Sequence, residues 1–221
     1  MEVDNIQTKE TSDCPICGFE ANVLLNKGQK LFYKCKQCFS IHVPSSNYLT
    51  KEEEKAIYET HNNDVLDVRY QSFVSPITHS VMKEFSLNAV GLDFGSGTGP
   101  VISYVLQKEG YSVFQYDPFF APNKEVLNHR YDFIACCEVV EHFHNPMIEF
   151  KKLFNLLKDG GKLFVMTHLF NEEVKLSFEN WYYKDDPTHV IIYNDKTMEW
   201  IAKEVGFASV SVQGRLIVFS R

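Results

Sequence analysis

The segment Gly91-Leu92-Asp93-Phe94-Gly95-Ser96-Gly97-Thr98-Gly99-Pro100 constrains the fold more than any other part of the chain. It closes a short apolar run, Ala89 to Phe94, and precedes a helical pattern from Val101 to Lys108. Closely spaced glycines let a backbone turn sharply and approach a ligand that a side chain would exclude. Pro100 suits the first turn of the following helix, where no N–H is needed. Strand, tight turn and helix then recur. Strands are expected at Ser112 to Tyr116, Phe133 to Cys137 and Lys162 to Thr167, and helices at Pro146 to Leu157 and Lys196 to Val205. Lys158-Asp159-Gly160-Gly161 reads as the C-cap of the first of these helices, and Gly206 ends the second. Phe207 to Val212 and Arg215 to Phe219 flank Gln213-Gly214 as a terminal hairpin. Repeated βα units imply an α/β, Rossmann-like fold, with a mostly parallel sheet covered on both faces and an antiparallel last strand.

The loop also selects its ligand. A dinucleotide loop reads GxGxxG and leaves a helix N-terminus free for pyrophosphate. Here the spacing is GxGxG, position 100 is proline, and Asp93 lies two residues before the first loop glycine. Asp93 would repel a pyrophosphate and suits an ammonium group. Asp117 ends the next strand, where a carboxylate accepts both hydroxyls of a ribose. S-adenosylmethionine has an α-amino group and a ribose diol and carries no phosphate, so the loop favours it over NAD. The alternative is a glycine-rich βα turn without a ligand.

Four of the six cysteines form two pairs, Cys14-Pro15-Ile16-Cys17 and Cys35-Lys36-Gln37-Cys38. Each CxxC knuckle turns two sulfurs to one side, and two knuckles complete a tetrahedron around Zn²⁺. Gly18 suits the tight backbone after the first pair. Four protein ligands leave no open position, so this metal is expected to be structural. Disulfides are the alternative, disfavoured in a chain whose N-terminus (Met1-Glu2-Val3-Asp4) carries no signal-peptide core. The same N-terminus makes the cytoplasm the expected location. Residues 10–43 read as a zinc ribbon with a small hairpin, Ala21 to Leu25 and Lys30 to Tyr33. Cys136 and Cys137 are adjacent on a strand and point to opposite faces, so no disulfide is expected between them.

Three regions follow: a ribbon at 1–44, a helical linker at 45–86 and the α/β domain at 87–221. Thr50-Lys51-Glu52-Glu53 is a capping box that starts a helix through about Thr60, and a second linker helix is expected over 75–86 from Ser75-Pro76. His61-Asn62-Asn63-Asp64 reads as a loop. No apolar run is long enough for a membrane span. The formal charge of −7 makes nucleic acid an unfavoured partner.

From Gly91 onward the chain resembles class I S-adenosylmethionine-dependent methyltransferases. The matching pieces are GLDFGSGTG, VFQYDP, YDFIACCEVVEHFHNP and LKDGGKLFVMT, in order over about residues 85–221. EVVEHFHNP is similar to methyltransferases that accompany ubiquinone-biosynthesis enzymes. A zinc ribbon ahead of such a domain is reminiscent of some sugar C-methyltransferases, and DPTHV is shared with a poorly characterised bacterial group. The resemblance implies a cofactor site formed by Asp93, Gly95, Gly97, Gly99 and Asp117, with Cys137 and Glu138 beside it. One departure stands out: so few residues separate Asp117 from Phe133 that the family's third helix and strand, the region that usually contacts the adenine, are shortened or missing.

Methyl transfer is an in-line displacement at the sulfonium methyl, in which the protein aligns the reactants and excludes water. An oxygen or carbon acceptor on a small molecule also needs a proton acceptor. His189, in Asp185-Asp186-Pro187-Thr188-His189, is the first candidate for general base and His168 the second. Phe170, Phe178, Trp181, Tyr182 and Tyr183 lie in the long connection between them, as cover for a substrate or as packing at the sheet edge. His61 and Tyr70 are candidates to close over the cofactor. Glu138, Glu141 and His142 form an ExxEH cluster suited to a second divalent metal, as the resemblance implies for some ubiquinone-pathway and small-RNA 3′-end methyltransferases. His144, His168 or His189 would supply a further ligand. The alternative is a structural hydrogen-bonded pair, Glu141 with His142. Three other functions remain open from sequence: a methyltransferase acting on a macromolecule docked by the ribbon, a non-catalytic zinc-dependent interaction protein, and an NAD oxidoreductase.

Overall fold

A computed structural model of the chain describes residues 10–28, 30–61, 63–171 and 177–221. The polar N-terminus, Met1 to Asp4, and Asn62 of the linker loop lie outside the described residues. A six-stranded sheet forms the centre. It contains β5 (Val90–Phe94), β6 (Ser112–Tyr116), β7 (Tyr131–Cys137), β8 (Leu157–Met166), β10 (Ser209–Gln213) and β11 (Leu216–Ser220), in the order β10-β11-β8-β7-β5-β6. The four strands β6, β5, β7 and β8 are parallel; β11 runs antiparallel to β8 and to β10. The expected α/β fold with an antiparallel last strand is the one found. Between β6 and β7 the described residues hold an isolated bridge, Asp117 with Ala121, and a 3-10 turn, Lys124–Asn128, so the sheet ends at β6 and the family's third strand is missing.

Alternation along β7 divides the core. Phe133 and Ala135 face α2 (Val68–Glu84) and α3 (Val101–Lys108), where Ile77, Val81, Ile102 and Leu106 are buried. Ile134 and Cys136 face α4 (Pro146–Leu156) and α5 (Asp195–Val205), where Phe150, Leu153, Met198 and Ile201 are buried. Cys136 and Cys137 therefore belong to opposite layers and are both free thiols. Helices on both faces remove apolar surface from water, the main stabilising term of such a domain.

Two local expectations are corrected. α2 starts at Val68, capped by Asp67, whose side chain accepts from the Arg69 N–H, and runs through Pro76. Burying Val74, Ile77, Thr78 and Val81 on the sheet outweighs the cost of about 3 kcal/mol for an interior proline. Gly160 and Gly161 do not cap α4. The helix passes directly into β8 at Leu157, and the glycines form an irregular stretch of that strand, with Gly160 at φ +76°. A Cβ on Gly161 would lie 2.8 Å from the Lys158 carbonyl oxygen.

A second sheet, β1-β2-β3-β4-β9, is built from β1 (Thr11–Asp13), β2 (Glu20–Lys27), β3 (Lys30–Cys35), β4 (Ile41–His42) and β9 (Ile191–Ile192). Its last strand comes from the other end of the chain. One apolar cluster runs from Cys14 and Phe32 through Val190 and Tyr193 to Phe150 and Ile201. The linker helix α1 (Lys51–Tyr58) starts at the expected capping box: Thr50 accepts from the Glu53 N–H, and the Glu53 carboxylate accepts from the Thr50 N–H. Among the described residues no helix is long and apolar enough to cross a membrane.

Candidate functional site

The four knuckle sulfurs, Cys14, Cys17, Cys35 and Cys38, lie within 4.8 Å of one another. Cys14 and Cys38 are 3.5 Å apart and Cys17 and Cys35 3.4 Å, far beyond a disulfide bond of about 2.05 Å. A tetrahedron of sulfurs at a Zn–S distance of about 2.3 Å has edges of roughly 3.8 Å, so the arrangement fits zinc. The mutual hydrogen bond of Cys14 and Cys38 draws Cys14 down to about 4 and drives Cys38 up. The Ser40 hydroxyl reaches both Cys14 and Cys38, and the Gln37 N–H donates to Cys35. Gly18 adopts φ +73° after the first knuckle, as the tight turn requires.

A cleft of about 830 Å³ opens at the carboxyl ends of β5, β6, β7 and β8. That volume lies within the range of small-molecule sites, roughly 300–1,000 Å³. Gly95, Ser96, Gly97 and Thr98 line one side together with Asp117. Gly95 has φ +80°, and a Cβ there would meet Val139 at 2.3 Å, so glycine is obligatory. The Asp117 carboxylate braces the loop from the next strand, with one oxygen accepting from the Gly97 N–H at 3.0 Å and the other from the N–H groups of Phe119 and Phe120.

Two members of the expected cofactor set stand behind this wall. Asp93 is buried and accepts from both the N–H and the hydroxyl of Ser103 in α3; burial raises its carboxyl to about 6. Gly99 faces the linker, where a Cβ would lie 1.6 Å from the Asn63 carbonyl oxygen. The linker thus closes over the loop, and His61, Asn63 and Tyr70 line the cleft.

Cys137 and Glu138 form the floor of the cleft at the end of β7. Glu138 adopts φ +52°, a left-handed conformation that is uncommon for a residue with a side chain. One of its oxygens accepts from Arg215 at 2.7 Å. Burial, reinforced by the nearby Glu141 charge and opposed by Arg215, raises Glu138 to about 7.

On the far side, Glu141, His142 and His189 place ligand-type atoms within 4.8 Å of one another. His142 Nδ1 lies 3.0 Å from the Thr188 carbonyl oxygen, and His189 Nδ1 lies 2.7 Å from the Tyr183 carbonyl oxygen. A carbonyl only accepts, so each Nδ1 carries the proton and each Nε2 keeps its lone pair. Glu141 is fully buried. One of its oxygens accepts from the Tyr183 hydroxyl, and the other has no partner among the described residues. Burial raises Glu141 to about 7 and lowers His189 to about 4. Glu141 and His142 are 4.0 Å apart, so they do not form the hydrogen-bonded pair considered above. His189, and not Glu138, is the third member of this cluster. His168 lines the same side, with Nε2 2.9 Å from the Tyr182 hydroxyl.

Tyr183 was expected only as one of the aromatics of the long connection, and Arg215 was not expected in the site. Tyr183 joins Glu141 to Thr167, and Arg215 joins Glu138 while stacking on Phe73. Arg215 had a legible signal: an antiparallel last strand must begin where the parallel strands end, and Leu216 pairs with Met166 at the cleft end of β8.

A family model described as "Methyltransferase domain" matches residues 66–212, more than half of the chain. Among solved structures the chain is similar to the 1,6-didemethyltoxoflavin-N1-methyltransferase of Burkholderia thailandensis, solved with bound 1,6-didemethyltoxoflavin and S-adenosylhomocysteine. The identity is 16%, over 89% of this chain and 96% of that one, with a TM-score of 0.52. An O-methyltransferase family protein, also from Burkholderia thailandensis, is 13% identical over 89% of this chain and 79% of that one, with a TM-score of 0.50. At these identities the likeness is one of fold. No curated protein matches the chain significantly.

Proposed function

The chain belongs to the methyltransferase-domain family, and we propose that it transfers a methyl group from S-adenosylmethionine to an oxygen or carbon of a small molecule. The observation that carries this reading is the continuous cleft. The glycine loop and Asp117 bound one half, and a cluster of histidine, tyrosine and carboxylate side chains bounds the other. The first half suits the cofactor. The Asp117 oxygen bound to Gly97 has a lone pair left for a ribose hydroxyl, Gly95 and Gly97 let the backbone approach, and Cys137 and Glu138 lie beside it. Asp93 contributes negative charge from behind the loop, toward the ammonium end of the ligand. A pyrophosphate would meet the Asp117 carboxylate and Pro100, which has no N–H to offer.

The second half suits the acceptor. The S–CH₃ bond breaks as the acceptor–CH₃ bond forms, and a hydroxyl acceptor gives up its proton. In this reading His168 takes that proton; that it lines the cleft, half-buried and hydrogen-bonded to Tyr182, supports the role. His189, held near 4, is a weak base at neutral pH but a good neutral ligand. With Glu141 and His142 it would hold a divalent cation. The unpartnered buried oxygen of Glu141 and the two free Nε2 atoms fit that role. When bound, such a cation would act as a Lewis acid on the acceptor oxygen. Aromatic side chains, including Tyr58, Phe73 and Phe143, line part of the cleft wall.

Calorimetry with S-adenosylhomocysteine and with NAD tests the cofactor. We expect binding of the first and none of the second. NAD binding alone would refute the reading.

A further inference from the structure

We infer that the zinc ribbon is the clamp of the acceptor-side loop, and that Lys30 is the positioning residue that transmits its grip to His189. The inference rests on the reading that His189 belongs to the acceptor half of the cleft. Lys30 opens β3, in the ribbon hairpin. Its ammonium donates to the carbonyl oxygens of Lys184 and Asp186, each at 3.1 Å. These carbonyls flank the short stretch that builds the histidine pair. The Asp186 carboxylate accepts from the Thr188 N–H and hydroxyl, and its carbonyl accepts from the His189 N–H at 3.3 Å. The Thr188 carbonyl orients His142, and the Tyr183 carbonyl, next to Lys184, orients His189. From Lys30 the hydrogen-bonded path to either imidazole crosses one or two backbone units.

The ribbon also holds the other end of the stretch. The Val43 N–H donates to the Val190 carbonyl, and β4 pairs with β9 through Ile41 with Ile192 and His42 with Ile191. The first grip lies at the end of a 3-10 turn, Tyr182–Asp185, and from Asp186 to Val190 the chain forms no helix or strand, so its conformation is held largely from the two ends. A second lysine of the hairpin, Lys27, pairs with Asp185 at 2.8 Å, but both partners are about half-exposed and such pairs contribute little. Lys30 differs because it is partly buried and satisfied by carbonyls. Burial lowers its ammonium, and the two carbonyls supply the partners that a buried donor needs. The ribbon therefore uses its inner edge within this chain.

The test is amide hydrogen exchange on the full zinc-loaded chain, in wild type, Lys30→Met and Lys30→Arg. In Lys30→Met the amides of Thr188, His189 and Val190 should exchange about tenfold faster, because local opening sets their rate. Those of β5 and β7 should not change, and Lys30→Arg should restore protection. Cobalt(II) binding beyond the ribbon's own metal should weaken about tenfold in Lys30→Met, as when a ligand's supporting partner is lost, while affinity for S-adenosylhomocysteine holds. A general loss of stability would not produce that split. Unchanged protection in Lys30→Met, or loosening shared equally by β5 and β7, would overturn the inference. If Lys30→Met does not fold, Lys30→Gln replaces it under the same criteria. If wild type takes up no second cobalt, the metal reading fails and the exchange data alone decide the clamp.

Discussion

The two halves of the cleft are built in different ways. The cofactor half comes from one contiguous turn plus one residue at the end of the neighbouring strand: Gly95 to Thr98 and Asp117, joined by the Gly97 N–H. The acceptor half draws on five stretches of chain. Glu138, Val139 and His142 follow β7, His168 follows β8, Tyr182 and Tyr183 come from the connection, His189 precedes β9, and Arg215 sits in the last hairpin turn. A contiguous turn is preorganised by its own backbone. A site gathered from five segments is only as rigid as the packing and hydrogen bonds that hold those segments together. The ribbon is one of those supports, and so the four-cysteine cluster and the histidine cluster are physically coupled although their chemistry differs.

Removing a sulfur from the proposed zinc site should have the largest effect. Cys35→Ser takes one of four sulfurs from a site whose occupancy is worth on the order of 10 kcal/mol in small zinc domains. We expect zinc content to fall from one per chain toward zero, with a large drop in thermal stability. The acceptor half should loosen more than the cofactor half, visible as residual binding of S-adenosylhomocysteine at low temperature. Full zinc retention would break the four-thiolate assignment, and equal loss in both halves would break the contrast.

A smaller effect, confined to the other half, is expected for Asp117→Ala. The carboxylate braces three backbone N–H groups and, in the proposed complex, the ribose hydroxyls. Losing such hydrogen bonds should weaken S-adenosylhomocysteine binding by about 1–3 kcal/mol in calorimetry. Cobalt binding at the histidine cluster should stay at the wild-type level. An unchanged nucleoside affinity would remove Asp117 from the site.

The same contrast explains what could be read from sequence. Local chemistry was legible: the CxxC knuckles, the capping box at Thr50, the βα turn at Gly95 and the strand-end acid at 117 each depend on neighbours a few residues away. The missing third strand was legible too, as a connection too short to hold one. The histidine cluster was half legible. Glu141 and His142 announce themselves in one helical turn, but the choice of His189 over Glu138 depends on Glu138 adopting φ +52° and turning to Arg215. The start of α2 was misplaced because a proline is a strong local signal, whereas the burial that overrides it comes from a sheet later in the chain. Gly99 shows the same limit. Its spacing marks it as part of a ligand loop, yet its immediate constraint is the Asn63 carbonyl of the linker.

The finest test separates a structural carboxyl from a ligand at Glu141. Its carboxyl holds a proton up to about 7 against an ordinary value of 4.5, because burial disfavours the charge. Folding therefore takes up a proton between those values. The contribution to stability is complete below about pH 4.5 and is lost as pH rises through 7. Glu141→Gln keeps an acceptor for the Tyr183 hydroxyl and has nothing to ionise, so the variant should escape this loss. His142 and His189 act in the opposite sense: their lowered values make the native state lose stability as pH falls below the usual histidine range, with His189 levelling off near 4. That contribution is common to both proteins and cancels in the difference. After dialysis into metal-free buffer, the variant should match wild type near pH 4.5. By pH 8 it should be more stable by about 2 kcal/mol, less than the full shift implies because Glu138 titrates with Glu141. Added cobalt should then reverse the order at pH 8, since only wild type offers a carboxylate to the cation. Parallel unfolding curves at both pH values would mean that Glu141 ionises as an ordinary surface acid, and the acceptor half would lose its claim to a metal.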